Sequence, residues 1–222
     1  MKQLRKSKQS MKRPTLILML RWPAPGRCKT RLAKEIGFVK AAYIQNKINE
    51  HTIAVALNLK KRGLVDLQLA ISGIATMKAK RWGLNQGITN VVPQGEGSLG
   101  LRMRRQILIA QKHSLNHVGH TTILIGSDLP SLSQSDLINA IEALKKHEIV
   151  LGPSMDGGYW LIGLAEKLVN PVVHWPFIDM PWGTNKVLEQ TVNKAKLKSV
   201  RHSLLNEQND IDQIEDLSPW QG

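Results

Sequence analysis

Five short stretches of the chain put charged side chains beside glycines at spacings that could do chemistry. The first is Trp22-Pro-Ala-Pro-Gly-Arg-Cys-Lys-Thr-Arg31, where Arg27, Lys29 and Arg31 alternate after Gly26. Alternating cations on a loop with a close-approaching backbone suit a di- or triphosphate; a solvated basic turn is the plainer alternative. The glycine directly before Lys29 that a Walker phosphate loop requires is absent, so that class is excluded. Cys28 reads as a small packing residue, since no histidine is placed to activate it. The second stretch, Gln94-Gly-Glu-Gly-Ser-Leu-Gly100, leads into Arg102, Arg104 and Arg105. Gly95 and Gly100 allow close backbone approach, and Arg102 lies in the first turn of the helix that follows, an end that favours anions. An ordinary turn is again the alternative.

The third stretch, Gly126-Ser-Asp128-Leu-Pro130, sets a carboxylate just past an apolar run, a good place for a hard cation. The fourth, Gly152-Pro-Ser-Met-Asp156-Gly-Gly158-Tyr-Trp160, reads either as a hairpin turn or as a wall where backbone amides of Gly157 and Gly158 meet a sugar or phosphate. Asp156 is the candidate general base. In the fifth, Asp210-Ile-Asp212, the two carboxylates fall on one side of an extended segment. With Asp128 they could complete a metal site, or they could cap a helix. Histidines 113, 117 and 120 lack ligand spacing on one helix face, which argues against zinc.

Positioning these loops requires strands and helices in alternation. Leu16–Leu20 is a continuous apolar run, as in a buried parallel strand. Ile44, Ile48, Thr52, Val55 and Leu59 recur at helical spacing. Strands are expected at Val65–Ser72, Ile88–Val92, Thr121–Ile125, Ile149–Leu151, Tyr159–Leu164 and Val200–Leu205. Helices are expected at Leu99–Leu115, after a capping box at Ser133-Gln-Ser-Asp136, and at Trp182–Leu197. This β–α alternation predicts an α/β layered fold with a mostly parallel sheet, whose ligands bind at the carboxyl ends of the strands.

The chain has 222 residues, one cysteine and a net charge of +14. A disulfide scaffold and a Cys-rich zinc site are excluded. The longest aliphatic run, Leu16–Leu20, is far below the roughly 20 residues that span a bilayer, and Arg21 ends it, so a cytoplasmic location is expected. Residues 1–13 hold six basic side chains and no acid and read as a basic disordered tail; residues 14–222 read as a single domain that still carries +8. Such charge favours anionic partners. A nucleic-acid module is the rival class, but no recognition motif is present and only 5% of residues are aromatic.

Taken in order, the five stretches resemble one family. The ordered set is Pro25-Gly-Arg-Cys-Lys-Thr-Arg-Leu32, Leu99-Gly-Leu-Arg-Met103, Gly126–Pro130, Gly152–Leu164, Pro181-Trp182 with Thr184 and Val187, and Asp210-Ile-Asp212. It resembles the bacterial DUF2064 group, of glycosyltransferase A-type or arsenosugar-biosynthesis glycosyltransferase-like proteins. More distantly it is similar to the guanylyltransferases of molybdenum cofactor and 2-phospholactate chemistry. The resemblance implies a three-layer αβα sandwich of the nucleotide-diphospho-sugar transferase type. It implies a Mg2+- or Mn2+-dependent transferase, with Asp128 and Asp212, or else Asp210, on the metal and the Gly26–Arg31 loop near the phosphates. The expected ligands are a nucleotide or nucleotide sugar and a small acceptor. Glycosyl transfer is the leading expectation and nucleotidyl transfer the alternative; a homodimer is possible. Arg21 stands where many members of the group have lysine, and Ser131 and Met155 where acids are frequent.

Overall fold

The computed structural model describes residues 13–113, 120–211 and 214–216. The tail expected over residues 1–13 therefore lies outside the described residues, apart from Arg13, and so do Asp212 and the end of the helix expected to reach Leu115.

Seven strands form one sheet in the order β3-β2-β1-β4-β6-β5-β7. The first strand, β1 (Thr15–Arg21), is parallel to β2 (Asp66–Ser72) on one side and to β4 (Thr122–Ile125) on the other. The short β3 (Val91–Pro93) extends the parallel half. Beyond β4, β6 (Tyr159–Leu164) runs antiparallel between β4 and β5 (Ile149–Pro153), and β7 (His202–Leu204) closes the sheet parallel to β5. The sheet is thus mostly parallel with one reversed strand, which the Asp156-Gly157-Gly158 hairpin produces.

Helices cover both faces, as parallel strands require. On one face, α2 (Phe38–Lys61), α3 (Thr76–Asn85) and α5 (Gln134–Leu144) bury Leu16, Leu18, Leu20, Leu69 and Ile125. On the other, α4 (Leu99–His113), α6 (Glu166–Val169) and α7 (Val187–Leu197) bury Ile17, Ala70, Leu124, Ile162 and Phe177. A short α1 (Leu32–Ile36) precedes α2. Gln68 in β2 is fully buried, because α4 covers that face and the Gln68 amide donates to Gln106 at 3.1–3.3 Å.

The capping box that starts α5 is present: Ser133 accepts from the Asp136 amide, and Asp136 accepts from the Ser133 amide at 2.8 Å. The last helix starts later than expected, at Val187 rather than Trp182. Pro181–Thr184 forms a turn, with Thr184 N–H on the Pro181 carbonyl and Gly183 at φ +82°. No helix among the described residues is long and apolar enough to cross a membrane.

Candidate active site at the carboxyl edge of the sheet

The carboxyl ends of β1, β2, β4 and the β5–β6 hairpin open into one cavity of about 550 Å3. Lys29, Arg31, Arg102, Asp128, Asp156, Gly158 and Asp210 all line it, so five stretches far apart in sequence meet there. Gly26, Arg27, Gly95, Gly100 and Gly157 do not line it. Three of these glycines are small for local reasons. A Cβ on Gly100 would lie 1.9 Å from the Phe177 carbonyl oxygen, and one on Gly157 2.2 Å from the Asn185 carbonyl oxygen. Gly95, at φ +75°, presses against the Arg105 guanidinium, which donates to the carbonyls of Gln94 and Glu96.

Lys29 is the hinge of the arrangement. It sits in a left-handed turn at φ 43° with its side chain only 4% exposed. Its ammonium donates to Asp128 Oδ1 at 2.6 Å and also to the Ile211 carbonyl. The Ile211 amide in turn donates to the Asp128 carbonyl at 3.0 Å. The first loop, the β4 edge and the C-terminal segment are thereby clasped together. The side chain expected on the phosphates thus has its ammonium between a carboxylate and a carbonyl.

The C-terminal segment reaches this clasp along the hairpin. Gln208 N–H donates to the Pro153 carbonyl at 3.0 Å, and Ser131 Oγ donates to Gln208 Oε1 at 3.0 Å. The path leaves Asp210 facing Asp156 and Asp128. Burial above all, then these two carboxylates, pushes the Asp210 carboxyl above the usual aspartate range; Lys29 pulls it the other way. Asp156 accepts from the Gly158 amide at 2.8 Å, which fixes its carboxylate at the cavity wall. Among the described residues no group of three His, Cys, Asp or Glu side chains gathers closely enough to hold a metal ion.

Guanidinium groups line the cavity as well. Arg21 donates to the Arg27 carbonyl at 2.7 Å, and Arg102 to Gln94 Oε1 at 3.0 Å. Burial first, then the nearby Arg21 charge, weakens the hold of Arg102 on its proton. Gln94 is itself fixed by donating to the carbonyls of Leu20 and Ala70. Tyr159 and Trp182 pack edge to face at 6.2 Å and form an aromatic side of the cavity. Burial drives the Tyr159 hydroxyl far above the usual phenol range. Cys28 lies 1% exposed, its Sγ 3.4 Å from the Ala24 carbonyl, and burial pushes its thiol up despite Lys29 and Arg21 nearby.

Sequence reasoning missed Gln45, Gln94 and Trp182 as lining residues. Gln45 interrupts an apolar helical stripe and carries no motif. The sequence predicts Trp182 inside a helix that in fact starts five residues later, at Val187.

A family profile described as an uncharacterized protein conserved in bacteria, DUF2064, matches residues 54–184. No curated protein matches the chain. A protein from Desulfovibrio desulfuricans G20, provisionally assigned as a nucleotide-diphospho-sugar transferase, superposes with a TM-score of 0.78 at 25% identity over 93% of this chain and 85% of its own. The 4-diphosphocytidyl-2C-methyl-D-erythritol synthase of Anaerococcus prevotii DSM 20548 gives 0.59 at 12% identity, covering 93% and 95%. Mannosyl-3-phosphoglycerate synthase from Rubrobacter xylanophilus gives 0.53 at 12% identity, covering 94% and 70%. The fold is therefore the nucleotide-diphospho-sugar transferase type, as the motif order implied.

Proposed function

Because the chain belongs to the DUF2064 family and carries this fold, we propose that it transfers a glycosyl group from a nucleotide-diphosphate sugar to a small acceptor. It is a transferase-type enzyme. The observation that carries this reading is the meeting of Asp128, Asp156 and Asp210 with Lys29, Arg21 and Arg102 in one cavity. Carboxylates and guanidiniums lining one cavity suit a ligand that brings both phosphate charge and a hard cation.

The donor set fits Mg2+ or Mn2+. Such ions are commonly held by one or two carboxylates together with phosphate oxygens, without a full protein cage. Lys29 takes Asp128 Oδ1, and no described residue bonds Oδ2. Asp210 is crowded by like charges, and a cation would relieve that crowding. Asp212, beside it in sequence, is the further donor in this reading. Bound there, the cation would neutralise charge on the departing diphosphate. Arg21, Arg31 and Arg102 would hold the phosphates by charge-assisted hydrogen bonds. Asp156, already oriented by the Gly158 amide, would take the proton from an acceptor hydroxyl.

The number of cations around the cavity also suits the greater charge of a nucleoside triphosphate, which favours nucleotidyl transfer as the second reading. The two differ in product: nucleoside diphosphate in the first, pyrophosphate in the second. A thermal-shift panel of nucleotide sugars and nucleoside triphosphates, with and without Mg2+ or Mn2+, tests both. A ligand at about 100 times its Kd adds about 2.7 kcal/mol of stability. No stabilisation by any phosphorylated ligand would refute both readings.

A further inference from the structure

A row of buried polar side chains climbs α2 beneath the cavity. Gln45, Asn49 and Thr52 are at most 3% exposed, although they stand among apolar neighbours. The hydrogen bonds of this row can be read from one fixed end. The Arg21 carbonyl can only accept, and Asn49 Nδ2 donates to it at 2.9 Å. That sets the Asn49 amide, so its Oδ1 faces the preceding turn and accepts from Gln45 Nε2 at 3.1 Å. The same nitrogen reaches the Ser127 hydroxyl at 3.4 Å. Flipping the Gln45 amide would set oxygen against oxygen at Asn49, so its orientation is inherited from the backbone of β1.

The other end of that amide is Oε1. No described residue donates to it, and it is not among the buried polar atoms sealed away without a partner. Gln45 lines the cavity, and Oε1 is the end of its amide that no described residue occupies. The neighbouring cations do not take it: Lys29 is held by Asp128 and Ile211, and Arg21 Nη1 by the Arg27 carbonyl. A neutral, preset acceptor beside a phosphate-binding edge repels phosphate oxygens and selects a donor. In a nucleotide or nucleotide sugar, the donors nearest the phosphates are the hydroxyls of the ribose and of the transferred sugar.

We propose that Gln45 Oε1 accepts a hydrogen bond from a ligand hydroxyl, on the ribose or on the sugar, and makes the cavity prefer hydroxylated ligands. This rests on the reading of the same cavity as a nucleotide site. Isothermal titration of the full chain with Mn2+ tests it. The probes are the four ribonucleoside diphosphates, their 2′,3′-dideoxy counterparts and their glucose conjugates, titrated into wild type and Gln45→Met.

The wild type should bind a hydroxylated probe roughly tenfold tighter than the matching probe without that hydroxyl, the scale of one hydrogen bond to a preset acceptor. Gln45→Met should erase this gap while leaving the affinity for the probe without the hydroxyl nearly unchanged. A gap between ribo and dideoxy probes assigns the hydroxyl to the ribose; a gap only between conjugate and parent assigns it to the sugar. An unchanged gap in Gln45→Met, or an equal loss for every probe, overturns the inference and leaves the transferase reading standing. Failure of the wild type to bind any probe overturns both.

Discussion

Lys29 and Asp128 stand 99 residues apart in the sequence and meet at 2.6 Å. The pair is asymmetric: the lysine side chain is 4% exposed and the aspartate 51%. The partly solvated carboxylate weakens the Coulomb gain, so the pair contributes less than a fully buried one. Lys29→Met should lower stability by about 1–2 kcal/mol, read by urea denaturation. It should also free the C-terminal segment. Hydrogen exchange at Gln208–Ile211 should accelerate while β1 stays protected; unchanged exchange there would show that the clasp does not hold the segment.

Cys28 should prove dispensable. The thiol is buried and its pKa raised, so it is neutral near pH 7 and slow to alkylate. Cys28→Ala should keep most activity, at a stability cost of about 1 kcal/mol. An acid whose pKa is raised by folding destabilises the fold once pH exceeds its unfolded value. The wild type should therefore lose stability above the ordinary thiol range, and Cys28→Ala should not lose that increment. Fast modification of the native thiol by iodoacetamide at pH 7 would contradict this.

Much of the scaffold was legible because it follows local rules. The apolar run Leu16–Leu20 announced the central strand, and Ser133 with Asp136 announced α5. The third helix was invisible because it buries little beyond Ala79 and Gly83, and so shows no apolar stripe. Among the cavity's lining residues, Asp128 and Asp156 were legible from loops beside strands and Asp210 from the Asp210-Ile-Asp212 spacing. The clasp was not, because Lys29 meets Ile211 across 182 residues, and charge pattern alone cannot tell a phosphate ligand from an internal ion pair. Gln45 and Asn49 were illegible for a related reason. A polar residue in a helix reads as solvent-facing until its partners are known.

Asp210 should make stability depend on pH in the direction opposite to an ordinary salt-bridged acid. Its carboxyl is pushed up by burial and by Asp156 and Asp128. The folded state therefore holds this proton more tightly than the unfolded one, and stability falls as pH rises past the ordinary aspartate range. Asp210→Asn should be the more stable protein at pH 7 in the presence of chelator, and the difference should close as pH drops below that range. Thermal melts across pH 3–8 read this; a wild type more stable than Asp210→Asn at pH 7 would refute it.

Gly100 separates a packing glycine from a ligand-facing one. A Cβ there would meet the Phe177 carbonyl oxygen at 1.9 Å, whereas at Gly126, which lines the cavity, it meets nothing within 4 Å. Gly100→Ala should cost about 2–3 kcal/mol and lower Tm by about 4–10 °C. Gly126→Ala should leave Tm within about 2 °C and show any effect in ligand binding alone. Equal melting temperatures for the two variants would mean that α4 shifts freely against the loop at Phe177.

In the proposed function, Asp128 helps a divalent cation and a nucleotide bind together. Asp128→Asn is the right probe, because its amide oxygen can still accept from Lys29 and the fold should survive. Isothermal titration with the best nucleotide of the panel, with Mg2+ or with chelator, on wild type and variant, decides the matter. Tight binding is expected only for wild type with the cation, weakened at least tenfold by chelator or by the substitution. Equal affinity in all four conditions would contradict it and leave a metal-free nucleotide-binding protein on this fold.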